Sequence, residues 1–274
     1  MLRASSSDLG VSQTQTLISD QDQLELALNF EYLSAEFFSY GANGRGLDAT
    51  APQLTKGGPP PIGGRKANLD PLLQDIFSQF ALINIAHLGA INGAVKGFPE
   101  PLLNISKEVF GEIVELKDFD VYANGLNYLL GAYISLLLLP QMLMLEWLHS
   151  CRTLNTRLVA GLLGVDSGPD AVIRAYLYER RDAPIPPYSV KVSDLTGRIS
   201  DFANRLGKEG IKSEGLVVPQ SEGAEGKTTG NVIAGDKDSL AFGRTASGIL
   251  KIVYGTGDEH VPGAFFPNGA NGFP

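Results

Sequence analysis

Apolar residues recur at three- and four-residue steps through most of the first 180 positions, the spacing that lines one face of an α-helix. The first such stripe reads Leu24, Leu28, Glu31, Ala35, Phe38. Ser19 to Asp22 and Asp20 to Gln23 stand at capping-box spacing, and Gly41 and Gly44 read as stops, so a helix is predicted from Ser19 or Asp20 to about Tyr40. A carboxylate inside this stripe requires a cation, a hydrogen-bond partner or a proton. The second helix opens at Asp70-Pro71, an N-cap followed by Pro at the first helical position, and continues to about Val95, before Gly97 and Pro99. Its stripe is Leu73, Phe77, Phe80, Asn84, His87, Ile91.

A short helix near Ser106 to Val114 precedes a third long one, roughly Val121 to Ser150, which Pro140 should kink. The fourth begins near Asn155 and runs through Leu163. A proline clashes with the carbonyl one turn earlier, so a break or sharp kink is expected at Pro169 before the helix resumes from Asp170 to Glu179. Between the first two helices lies a long Gly/Pro-rich loop, with Gly57-Gly58-Pro59-Pro60-Pro61-Ile62-Gly63-Gly64 at its centre. Loops of this length are usually functional or packed across a domain. After Pro184-Ile185-Pro186-Pro187 the chain turns glycine-dense and polar, with two amphipathic helices, Ser193 to Leu206 and Thr245 to Tyr254, each stopped by a glycine. Val217 to Asp236 reads as ordered coil. The pattern divides the chain into a flexible N-terminus (1–18), a four-helix bundle (19–183) and a largely irregular C-terminal extension packed on it (184–274). The core is all-α.

Composition narrows the partners. With 43% hydrophobic and 19% charged residues in 274, this is a folded globular chain, and its net charge of −8 disfavours nucleic acid and anionic membrane surfaces. The single cysteine, Cys151, excludes an internal disulfide framework and a cysteine-based zinc site. Beside Arg152, it reads as an inert helix-end thiol. Residues 1–7 are polar and lack the apolar region of a secretory signal, which leaves an intracellular protein or a processed form. Asn104-Ile105-Ser106 is a glycosylation sequon, relevant only to a secreted chain. Gly125 to Leu145 is uncharged and long enough to span a bilayer. Asn127, Pro140 and Gln141 interrupt it, however, and its flanks (Asp118, Asp120, Glu146) are acidic, so a buried bundle helix is expected in place of membrane insertion.

The candidate chemistry is a pair of half-finished signatures. Di-iron and di-manganese bundles use a lone Glu from each of two helices and Glu-x-x-His from each of the other two, because residues three apart share a helix face. Glu31 fits the first role. Asn84-Ile85-Ala86-His87 stands where the second would be, with an amide in place of the acid. The third helix offers Asn124 and Asn127 and no carboxylate before Glu146. Glu146-Trp147-Leu148-His149 is the only literal Glu-x-x-His. At 1.5 Å rise per residue it is offset from His87 by on the order of 10–15 Å and reads as a solvent-facing pair. His260, beside Asp258 and Glu259, reads as a solvated turn. No Ser-His-Asp arrangement and no phosphate-binding glycine pattern is present.

Four stretches carry a resemblance. They are Gly57-to-Leu73 (GGPPPIGGRKANLDPLL), Arg157-to-Arg180 (RLVAGLLGVDSGPDAVIRAYLYER), Glu214-to-Asp236 (EGLVVPQSEGAEGKTTGNVIAGD) and Ile252-to-Gly257 (IVYGTG). From about Gln23 onward the chain resembles the plant desiccation-related proteins. The resemblance implies a ferritin-like four-helix bundle with a C-terminal extension, a link to water-stress tolerance, and export to the cell wall or apoplast. It aligns Glu31 with the family's first-helix Glu, His87 with the His of the Glu-x-x-His-like segment, and Asp166 with an acidic position on the fourth helix. Pro169 falls where a bundle oxidase places its second His and cannot ligate.

Two readings of the interior follow. In one, His87 is a core histidine hydrogen-bonded to Glu31 or Asn84. In the other, Glu31, His87 and Asp166, completed by water, form one hard-ion site with room for weak binding of Fe, Mn or Zn. The expected function is a non-catalytic, structural or protective ferritin-like protein of the desiccation response. It would have a degenerate metal site, no required cofactor, and a protein partner or a second copy of itself as partner. The alternative is a metal-dependent oxidase or ferroxidase using the reduced carboxylate–histidine set.

Overall fold

A computed structural model describes residues 20–137 and 156–272, and among them every regular element is helical. Pro140, Cys151 and the Glu146-to-His149 motif lie outside the described residues, as does the proposed N-terminal tail.

The two long stripes pair first. Helix α1 (Asp20–Asn43) packs on α4 (Pro71–Ala94), and the partners Phe38 with Phe77 and Gln74 Nε2 with the Ala42 carbonyl (3.1 Å) show them to run antiparallel. Asp70 caps α4 by accepting from the Leu73 amide at 2.9 Å, as its Asp-Pro start predicts. All of the stripe residues Leu73, Phe77, Phe80, Asn84, His87 and Ile91 are buried. Helix α6 (Gly125–Leu137) and α7 (Thr156–Glu179) complete the bundle. Tyr128 of α6 ties that helix to α1 and α4. Its ring stacks on Phe37 (4.7 Å), meets Phe77 edge-on (4.6 Å), and its hydroxyl donates to the Phe37 carbonyl at 2.7 Å.

Three local expectations differ from what is found. Gly41 does not stop α1, which runs on to Asn43; the stop is Gly44, at φ +72°, a left-handed position suited to glycine. Gly41 is required by packing instead, because a Cβ there would overlap the Tyr128 hydroxyl and ring. Gly41→Ala is therefore expected to cost about 1–3 kcal/mol, seen as a lowered denaturant midpoint at unchanged slope. Secondly, Pro169 lies inside an unbroken α7. A proline forgoes one backbone bond, to the carbonyl of Val165, and Val165 is itself exposed, at a surface where water can take up that acceptor. Thirdly, the Gly/Pro-rich loop contains two single-turn helices, α2 (Leu47–Thr50) and α3 (Pro52–Thr55).

That loop and the C-terminal region cover the outer side of α1, which is why α1 is buried almost all round. Helix α5 (Lys107–Ile113), α8 (Val192–Gly207) and α9 (Ala246–Val253) belong to this cover and stand close to their predicted positions. Phe265 packs on Phe110 and Phe266 on Phe30. Asn29 and Asn271 exchange two bonds, side-chain amide to carbonyl at 2.9 Å and backbone amide to side-chain oxygen at 2.8 Å. The coil after α8 is ordered by Arg174 of α7. Its guanidinium donates to the carbonyls of Glu214 (3.0 Å), Asn231 (2.6 Å) and Val232 (2.9 Å). Tyr133 of α6 donates to the same Glu214 carbonyl at 2.5 Å.

Candidate metal centre

Three helices deliver one polar cluster to the interior of the bundle. Glu31 comes from the middle of α1, Asn84 and His87 from one face of α4, and Asp166 from α7. All four are buried, Glu31 and Asp166 to 1% and 3% exposure, in a core of aromatic and aliphatic side chains. Because α7 continues through Pro169, Asp166 is held on a rigid helical turn and not in a broken segment.

The side chains close on one another. His87 Nδ1 lies 3.2 Å from Glu31 Oε1 and 3.2 Å from Asp166 Oδ1. The Asn84 amide donates to Glu31 Oε2 at 2.9 Å. One donor atom each from Glu31, His87 and Asp166 lie within 4.8 Å of one another. Asp166 Oδ2 is buried and has no hydrogen-bond partner.

The electrostatics follow from two carboxylates sharing a dry site. Burial raises the Glu31 carboxyl above its ordinary range, and the hydrogen bond from His87 opposes this. For His87 burial works against the charged form, but hydrogen bonds to Asp166 and Glu31 and their charges outweigh it and push the imidazole up to about 10. Two ionised carboxylates and a neutral imidazole would together balance the charge of one divalent cation.

Other candidates fall elsewhere. Asn124 and Asn127 cap the start of α6: Asn124 Oδ1 accepts from the Asn127 amide at 2.9 Å, and the Asn127 side chain donates to the Asp120 carbonyl at 2.8 Å. His260 is exposed in a turn, as expected. The pattern singles out the residues of the cluster, with Asn84 either replacing an acid or bonding His87, whereas its amide in fact donates to Glu31. That bond gives the amide a positive role, one set by the packing of α1 on α4.

Comparison with known proteins places this geometry in a family. Residues 19–135 match the ferritin-like domain. The chain is 46% identical over 265 residues to "Ferritin-like catalase Nec2" of Nesocodon mauritianus, spanning 93% of this chain and 84% of that protein. It is 44% identical over 265 residues to "Desiccation-related protein PCC13-62" of Craterostigma plantagineum, spanning 93% and 83%. The chain belongs to the desiccation-related family of ferritin-like proteins. No solved structure matches it. The bundle of this ferritin-like protein is all-α, as the periodicity predicts, and no described helix is long and apolar enough to cross a membrane. The uncharged stretch from Gly125 instead supplies Tyr128 and Tyr133 to the core.

Proposed function

We propose that this ferritin-like protein holds one divalent transition-metal ion between Glu31, His87 and Asp166, and acts as a protective, metal-holding protein of the desiccation response. The carrying observation is the convergence of the three donor atoms beside a buried carboxylate oxygen, Asp166 Oδ2, that has no other partner. Two carboxylates and an imidazole suit Mn, Fe or Zn. The ligand set supports one ion and not a bridged pair among the described residues. Asn84 occupies the acid's place in the α4 motif and is committed to Glu31, and Pro169 occupies the position three residues after Asp166. A bound ion would supply Lewis acidity and, for Mn or Fe, one-electron redox capacity. The chain's own contribution is to fix the donors on three helices and to exclude bulk water from them.

A second reading is an enzyme that decomposes peroxide, favoured by the printed name of the 46%-identical relative and by the same donor set. One experiment separates the two. Protein loaded separately with Mn(II), Fe(II) and Zn(II) is analysed by inductively coupled plasma mass spectrometry and assayed for oxygen release from hydrogen peroxide. One ion per chain with no release above free metal supports the protective reading. Release that disappears in His87→Ala replaces it with the enzymatic one. Protein that retains no ion from any of the three solutions removes the metal site from both.

A further inference from the structure

A second pair of buried carboxyls lies outside the centre just described. Glu36 of α1 is fully buried and Glu100 is 2% exposed. Glu100 is set between Pro99 and Pro101, which fixes the chain direction on either side of it. The two side chains are within hydrogen-bonding reach of each other. Of their four oxygens only Glu36 Oε1 is satisfied, accepting from the Leu47 amide at 3.0 Å. Glu36 Oε2 and both oxygens of Glu100 are buried without a partner.

Burial first pushes Glu36 up to about 7 and, with the charge of Glu36, Glu100 up to about 10, so two buried acids without a cation hold a proton between them, at a place where a cation could take that proton's role. The surrounding backbone is shaped to allow it. A Cβ on Gly46 would strike Glu36 Oε2, and one on Gly58 would strike the backbone and Cβ of Glu100. The Thr55 carbonyl accepts from both Gly58 (2.8 Å) and Glu100 (2.9 Å), drawing the loop over the pair. The negative charge of Asp48 reaches both carboxyls, so the local field favours a cation.

We propose that Glu36 and Glu100 bind a hard divalent cation of the calcium class, which ties the 46–58 loop and the Pro99–Pro101 segment to α1. The donors point to this class: they are oxygens only, with no imidazole or thiolate, and calcium accepts irregular oxygen shells completed by backbone carbonyls and water, where magnesium demands a near-octahedral one. This site is chemically distinct from the carboxylate–histidine centre and independent of it.

Tyr32 and Tyr40 lie close enough for the charge of Glu100 to act on both, so they can sensitise a lanthanide bound at the pair. Full-length protein stripped with EDTA is titrated with terbium and then with calcium, following tyrosine-excited emission, calorimetric stoichiometry and thermal unfolding. The expected result is one site per chain, emission displaced by calcium, and a melting temperature that rises with calcium. That rise is retained in His87→Ala and lost in Glu100→Gln. A glutamine amide can donate to Glu36 as a protonated Glu100 would. If wild type ignores calcium while Glu100→Gln unfolds at the same or a higher temperature, the pair shares a proton and the proposal is overturned. Loss of the calcium response in His87→Ala also overturns it, by assigning the ion to the other centre. Absence of calcium-displaceable emission from the wild type does so whether or not the variants fold.

Discussion

Arg244→Met is expected to lower the free energy of unfolding by about 3–5 kcal/mol, read from denaturant titration, because it breaks a fully buried ion pair. Arg244 donates to Glu214 Oε2, and neither side chain has any exposure. Glu214 sits at the junction where Arg174 and Tyr133 anchor the C-terminal coil to the bundle. Arg244 is not ideally satisfied itself: Nε and Nη1 are buried without partners. The double variant Arg244→Met with Glu214→Gln is therefore expected to recover more than half of the loss. A single variant costing less than about 1 kcal/mol would show that the pair behaves as a solvated surface bridge. A second readout is Lys212. Burial first and the charge of Arg244 second lower its ammonium pKa, so removing Arg244 should move that titration upward.

How much of this was legible in the sequence depends on whether a residue's partners are set by periodicity or by tertiary cover. The stripes of α1 and α4 are periodic, so Glu31, Asn84 and His87 could be placed on facing surfaces from spacing alone. Asp166 could be assigned by resemblance, but the proline three residues later argued for a break or sharp kink beside it, and the helix is not broken there. Local proline chemistry was outweighed by the packing of α7 on both sides of Pro169. Gly41 shows the converse error, a glycine read as a terminator that is in fact the space needed by a tyrosine more than eighty residues away.

Glu36 was not legible. It lies off the stripe of α1, on the side a two-layer bundle would leave to solvent, together with Asn29. Both are buried because the loop containing α2 and α3, and the segment ending at Asn271, close over that side. Nothing in the local pattern announces a cover made by irregular chain. The same holds for Arg174 and Arg244, whose partners are mostly backbone carbonyls and a single acid in coil. A fully buried arginine in a glycine-rich protein is a sign of such a cover, visible only once its depth is known.

Glu31→Ala is expected to weaken binding of the transition-metal ion by more than about 100-fold, since loss of even an outer-shell partner typically costs 10–100-fold. Asn84→Leu should fall within that outer-shell range, because its amide orients Glu31 through Oε2 and offers no donor to the ion. The order of the two variants is the informative result. Glu31→Ala also leaves the Asn84 amide without its acceptor and His87 with Asp166 alone, so the metal-free protein should lose about 1–3 kcal/mol for each group stranded. Equilibrium dialysis with Mn(II) or Zn(II) and denaturant titration of the stripped protein give the two numbers separately. If the cluster is only a satisfied core histidine, the stability loss will appear while metal uptake is equally low in wild type and variant. If it is an ion site, the two losses will appear together in Glu31→Ala and the binding loss will be smaller in Asn84→Leu. That pattern follows from the proposed geometry, since one side chain would face the ion and the other holds the first in place.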